Sequence, residues 1–153
     1  IRREWVEKLH PIGVGVFSVV RPLEFSTIDF TLKPHAGRWE GGAMNIPGIT
    51  ALGASLELLL TVGIETIERR VLELTNYLCD AARSRGWTIF SSREHADKSG
   101  IVSLIHSALP ASEVLKRCRA AGVIVNNRAD RVRVSPHAYN TEDEINRFFD
   151  AAR

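Results

Sequence analysis

At 153 residues, with 44% hydrophobic residues and a formal net charge of +2, the chain can bury one real core and has the common size of a single domain. No run approaches the roughly 18 consecutive apolar residues of a membrane helix. The basic residues from Arg117 to His137 are too diluted by Ala, Val and Asn to make a stripe for a phosphate backbone, so neither a membrane nor a nucleic acid is expected as partner.

The opening, Ile1 to Leu9, is a charged amphipathic turn without an apolar signal region or an initiator methionine, and it reads as the start of a piece of a longer chain. Pro11, Gly13 and Gly15 break it. Gly13 to Val20 alternates small and β-branched residues and predicts strand or extended chain. From Arg21 to Arg38 apolar residues appear without a sustained period, which predicts an ordered loop with brief strand. A crowded turn follows, Gly37-Arg38-Trp39-Glu40-Gly41-Gly42-Ala43-Met44-Asn45.

A long helical run then extends from about Gly48 to Arg85, with a kink or a break at Gly63 between two apolar stripes. In its second half Ile67, Val71, Leu74, Leu78 and Ala81 recur at spacings of four and three and line one face, while Glu65, Glu68, Arg69, Glu73, Asp80 and Arg83 fall largely away from it. Gly86 stops this helix. Strands are predicted at 87–91, 101–105, 123–126 and 131–135. A helix begins at Pro110 and ends at Gly122, and Thr141 with Glu144 forms a capping box for a last helix that carries Ile145, Phe148 and Phe149. The order, helices then β-β-α-β-β-α, is α/β: a small mixed sheet with helices against one face.

Cys79 and Cys118 are the two cysteines, both within predicted helices beside apolar residues, as buried structural thiols are. Nothing calls for an oxidising compartment, and the cytoplasm is the default. The five histidines are scattered without metal-ligand spacing, and no serine occupies a Gly-x-Ser-x-Gly elbow. Arg133 alternates with Val132 and Val134, so it faces opposite to them. There it is either a solvated charge on an exposed sheet face or a fixed guanidinium fork for a carboxylate. His137, Tyr139 and Asn140 are either ligands or, for Asn140-Thr141, the start of a helix. The paired glycines Gly41-Gly42 let backbone amides approach an anion, next to a helix N-terminus; there is neither a P-loop nor a Gly-x-Gly-x-x-Gly turn.

Four stretches, taken together, carry a resemblance. Gly37 to Asn45, Gly53-Ala54-Ser55-Leu56-Glu57, Ser99-Gly100-Ile101-Val102-Ser103 and above all Arg131-Val132-Arg133-Val134-Ser135-Pro136-His137-Ala138-Tyr139-Asn140-Thr141-Glu142-Asp143-Glu144-Ile145 resemble the C-terminal part of the class V aminotransferase family. That family comprises fold-type I pyridoxal phosphate enzymes, with cysteine desulfurases, selenocysteine lyases, isopenicillin-N-epimerase-like proteins and transaminases among them. The resemblance runs through essentially the whole chain. It implies the C-terminal small domain of a fold-type I pyridoxal phosphate-dependent transferase, with residues 1–47 as an interdomain and cofactor-facing segment and 48–153 as the connecting helix and small domain.

By the same resemblance, Arg133 holds the α-carboxylate of an amino acid substrate. Gly42 and Ala43 lie in the turn that approaches the cofactor phosphate of the other subunit of a homodimer. Many relatives carry Thr or Ser where this chain has Ala43, which leaves the backbone amide as the contact. The lysine that binds pyridoxal 5'-phosphate and the aspartate that pairs with its ring nitrogen belong to an upstream large domain, so no residue here is assigned a catalytic role. Desulfurases carry a persulfide-forming cysteine between the third strand and the arginine strand, where this chain has only Asn127-Arg128-Ala129-Asp130. The expectation is therefore an aminotransferase-like or epimerase-like parent; a desulfurase or lyase, or a non-catalytic structural or interaction domain, are the alternatives.

Overall fold

A computed structural model describes all residues from Ile1 to Arg153, which divide into two units, Ile1–Ser55 and Leu56–Arg153. The first unit has little regular structure. A short helix α1 (Arg3–Val6) is followed by single 3-10 turns at Val16–Ser18 and Ala36–Trp39. The strand expected over Gly13 to Val20 reduces to one antiparallel bridge, Val19 to Leu32, flanked by hydrogen bonds from Val20 N to Thr31 O (2.9 Å) and from Lys33 N to Ser18 O (3.0 Å). An ion pair of 2.7 Å between Arg21 and Asp29 closes this loop.

The long helical run is two helices, α2 (Ile46–Val62) and α3 (Ile64–Ser84), separated at Gly63, whose φ of 89° is open to glycine and costly for other residues. Their surfaces differ in kind. Helix α2 is apolar nearly all round, with Glu57 its single charged residue, yet it buries none of its side chains within the chain. This chain leaves the apolar surface of the helix uncovered. No single helix is long and apolar enough to cross a membrane.

Helix α3 is amphipathic, and the predicted stripe is the buried one: Leu74, Leu78 and Ala81 are inside, together with Thr75, Cys79 and Ala82. It packs on a four-stranded sheet of β1 (Thr88–Ile89), β2 (Val102–Ile105), β3 (Asn126–Arg128) and β4 (Arg131–Val134), in the order β1-β2-β4-β3. All three pairings are antiparallel, which narrows the expected mixed sheet. Helices α4 (Ala111–Ala120) and α5 (Glu142–Ala151) complete the layer. Val114 and Cys118 from α4 and Ile145, Phe148 and Phe149 from α5 meet Val102, Leu104, Val132 and Val134 from the sheet. Each large apolar side chain buried there contributes about 1.5–3 kcal/mol relative to exposure.

The third strand differs from expectation. Val123 to Val125 is not strand: Val123 N is bound to Cys118 O (2.8 Å) as α4 closes at Gly122 (φ 70°), and the ladder begins only at Asn126. Of the expected strand only Asn126 is in the ladder, and the strand runs on to Arg128. The turn itself shrinks to Ala129 and Asp130, both at positive φ (49° and 57°), as a two-residue hairpin twisted to match its strands requires.

Helix α5 starts as its capping box predicts. Thr141 Oγ1 accepts from Glu144 N (3.3 Å), and Glu144 Oε2 accepts from Thr141 N (2.9 Å). The side-chain amide of Asn140 and the backbone amide of Thr141 donate to the Glu144 carboxylate and hold it below its ordinary value of 4.5. Thr141→Ala should cost about 1 kcal/mol in chemical denaturation, the usual value of an N-cap. Because the folded-state pKa of Glu144 is depressed, its contribution is present above the ordinary value and is lost as pH falls below it. Wild type should therefore lose more stability than Glu144→Gln on acidification through that range; parallel curves would refute the charged cap.

Candidate functional site

Strand β4 fixes the direction of Arg133. Val132 and Val134 are buried against the helices and pair with Leu104 and Val102, so the residue between them is turned to the opposite, open face of the sheet. There Arg133 lies between Ser103 of β2 and Asn126 of β3. Its Nε is buried and has no hydrogen-bond partner, and none of the ion pairs of the chain includes its guanidinium. A buried N–H left without an acceptor costs about 1–3 kcal/mol, more when the group is charged. Arg133 therefore keeps N–H donor capacity that no group of the chain uses.

The residues after β4 have structural partners. Asn140 Oδ1 accepts from His137 N (2.8 Å), and the Asn140 side-chain amide donates to Glu144, so Asn140 serves the start of α5. His137 and Tyr139 stack on each other at 4.8 Å. Burial pushes the thiols of Cys79 and Cys118 up, away from reactive thiolates. No group of three or more His, Cys, Asp or Glu side chains is placed to hold a metal ion.

In the first unit, Gly42 and Ala43 lie on the turn after the second 3-10 segment, both exposed. Their amides donate to no protein acceptor. A Cβ added at Gly42 would meet nothing within 4 Å, so the turn is open to a ligand approaching its backbone. The turn is anchored on both sides. Arg38 donates from Nε to Lys33 O and from a terminal nitrogen to Val6 O, both at 2.7 Å, which commits the guanidinium to the main chain. Asn45 Oδ1 accepts from Gly48 N (3.1 Å) and starts α2.

Gly15 has a part that its short Gly-Val-Gly phrase does not announce. The backbone of Gly15 crosses that of Gly41 so closely that a Cβ on Gly15 would fall 2.1 Å from Gly41 O. Buried Ser18 pins the crossing by accepting from Gly15 N (3.2 Å). Local sequence shows a pair of glycines on each side but not that they touch.

A model of the aminotransferase class-V family matches residues 1–148, and the chain belongs to that family. A kynureninase of Bacillus cereus is 31% identical over 152 residues, covering 92% of this chain and 35% of that protein. The apo cysteine desulfurase of Thermococcus onnurineus NA1 superposes with a TM-score of 0.81 at 21% identity, over 98% of this chain and 40% of the other. A cystine C–S lyase in complex with its reaction product, cysteine persulfide, also gives 0.81, at 18% identity, over 99% of this chain and 40% of the other. The chain thus spans little more than a third of the curated relative it matches. Its fold is that of a C-terminal small domain of a fold-type I pyridoxal phosphate enzyme, and pyridoxal 5'-phosphate is the cofactor of the full-length protein.

The residues present fit that group in one respect: the free amides of Gly42 and Ala43, on an open turn just before the N-terminus of α2, suit a phosphate. The Gly15–Gly41 crossing gives a direct check. Gly15→Ala should displace the turn and make residues 36–45 of the full-length protein readily cleaved by protease, whereas Gly42→Ala should leave them as resistant as wild type. Equal resistance in both variants would contradict the crossing.

Proposed function

We propose that this chain supplies the substrate-carboxylate grip of a pyridoxal phosphate-dependent lyase that cleaves the side chain of an amino acid, with Arg133 as the grip. The observation that carries the reading is the buried, unpartnered Nε of Arg133, set on a strand whose two neighbouring valines prevent it from turning away. A fork held in this way binds a carboxylate with both position and direction, which restricts rotation about the bonds to the α-carbon. Pyridoxal phosphate, when bound, supplies an electron sink that weakens the bonds around that carbon. The Gly42 and Ala43 amides contribute to holding its phosphate. Exposed Phe25 and Phe30 in the first unit, with the uncovered apolar surface of α2, favour a homodimeric parent.

Lyase-type chemistry is preferred to transamination because the relatives are a kynureninase, a cysteine desulfurase and a cystine C–S lyase by name. Within that group the chain favours cleavage without a persulfide on its own cysteine. The β3–β4 turn is only Ala129-Asp130, and Cys79 and Cys118 are both buried with raised thiol pKa.

In the full-length protein Arg133→Ala should raise the apparent substrate constant by a factor corresponding to roughly 2–5 kcal/mol, the usual loss when a buried charge partner is removed. The absorbance of the bound cofactor without substrate should not change. Arg133→Lys should restore only part of the affinity, because a point charge does not reproduce the fork. Unchanged affinity in Arg133→Ala would reject the grip. Product analysis tests the reaction class: a released side-chain fragment is expected, and accumulation of a 2-keto acid with the side chain intact would reject the lyase reading.

A further inference from the structure

The open face of the sheet carries more positive charge than one carboxylate requires. The register sets Arg133 beside Ser103 and Asn126, and Arg131 opposite Arg128, so three arginines share this face. With them stand Thr88 and Ile105, and no acidic residue is among them. Asp130, the nearest acid in sequence, makes no ion pair, and neither do Arg128, Arg131 or Arg133. Like charges directly opposite one another on a sheet are destabilising. Here Arg128 and Arg131 are brought opposite by a turn whose two residues, neither of them glycine, both take left-handed backbone. A local arrangement that works against stability at several positions at once is expected where a ligand is bound.

Arg131 is not loose on this face. Its guanidinium carbon lies 3.5 Å from the centroid of the Phe90 ring, so the side chain extends from β4 across β2 to reach the residue that follows β1. Phe90 N donates to Ser103 O (2.9 Å), which places the aromatic ring in the same row as Ser103 and Arg133. A stacked guanidinium satisfies its face and leaves its N–H edges free for a planar anion. Ser103 is small, so the space between Phe90 and Arg133 is not filled by its side chain. Arg131 and Arg133 start about 7 Å apart, two residues along one strand.

We infer that Arg131, laid on Phe90, is a specificity-determining residue that holds a second acidic group of the substrate, so that the enzyme acts on an amino acid whose side chain ends in an anion. The inference rests on Arg133 holding the α-carboxylate, as proposed above. A substrate held at one end by Arg133 and carrying an anion at its other end would give Arg131 the acceptor that no acidic side chain of this chain supplies, and a neutral side chain would not.

The test uses the full-length holoenzyme and two unreactive probes of equal length, succinate and butyrate, titrated by calorimetry. Wild type should bind succinate at least about tenfold more tightly than butyrate, a difference of about 1.4 kcal/mol. Arg131→Gln should reduce the preference to about one while leaving butyrate affinity unchanged, and Phe90→Leu should weaken it several-fold. Arg128→Gln, at the hairpin edge, should keep it. Equal binding of the two probes by wild type, or a preference that survives Arg131→Gln, overturns the inference. An equal loss in Arg128→Gln and Arg131→Gln also overturns it, since that is general charge attraction. Failure of the reading beneath it has a separate signature: butyrate affinity unaffected by Arg133→Gln.

Discussion

The alternation of β4 is the constraint on which the site depends. Val132 and Val134 are held by the helical layer, and a strand cannot bury two residues of one parity without presenting the residue between them to the other side. A slip of one residue in the pairing with β2 would turn Arg133 into the core and the valines out. Burying a charged guanidinium among Leu104, Val114 and Phe149 would cost far more than any alternative contact could offset. The aim of the functional group is therefore secured by apolar packing, not by hydrogen bonds of its own. That is why its Nε can remain unpartnered without the strand rearranging to satisfy it.

The first unit uses a different device for a similar end. It has no sheet to orient the turn at Gly42 and Ala43, and only Val6 and Ser18 are buried in it. Position comes from backbone contacts: two main chains meet at Gly15 and Gly41, and Arg38 bridges two carbonyls distant in sequence. Such contacts fix a turn while leaving its amides free. They also need glycine at the crossing, because any side chain there has no volume to occupy.

What sequence can reveal follows this division. The buried stripe of α3, the stops at Gly86 and Gly122, and the cap at Thr141 are legible because each is a local rule with one dominant cause. The direction of Arg133 is legible for the same reason. The placement of β3 is not, since Val123-Ile124-Val125 has the β-branched composition of a strand while its backbone is still engaged in closing α4. Nor can the arginine alternation reveal that Arg131 reaches Phe90, which is 41 residues earlier and two strands away. The Gly15–Gly41 contact is of the same non-local kind.

The position of β4 in the sheet also bears on when Arg133 becomes competent. β1 and β2 precede α4, while β3 and β4 form a hairpin that must dock its second strand against β2 across that helix. A hairpin forms in microseconds, but this one closes through two left-handed residues and joins the sheet by a non-local pairing. Any fluctuation that lifts the hairpin from β2 removes Val132 and Val134 from their sockets and lets the guanidinium swing free. With Arg133 as the proposed carboxylate grip, affinity for that carboxylate and protection of the β4 amides from exchange with solvent are governed by the same opening equilibrium, and a ligand on Arg133 would act as a clasp on the last strand of the fold.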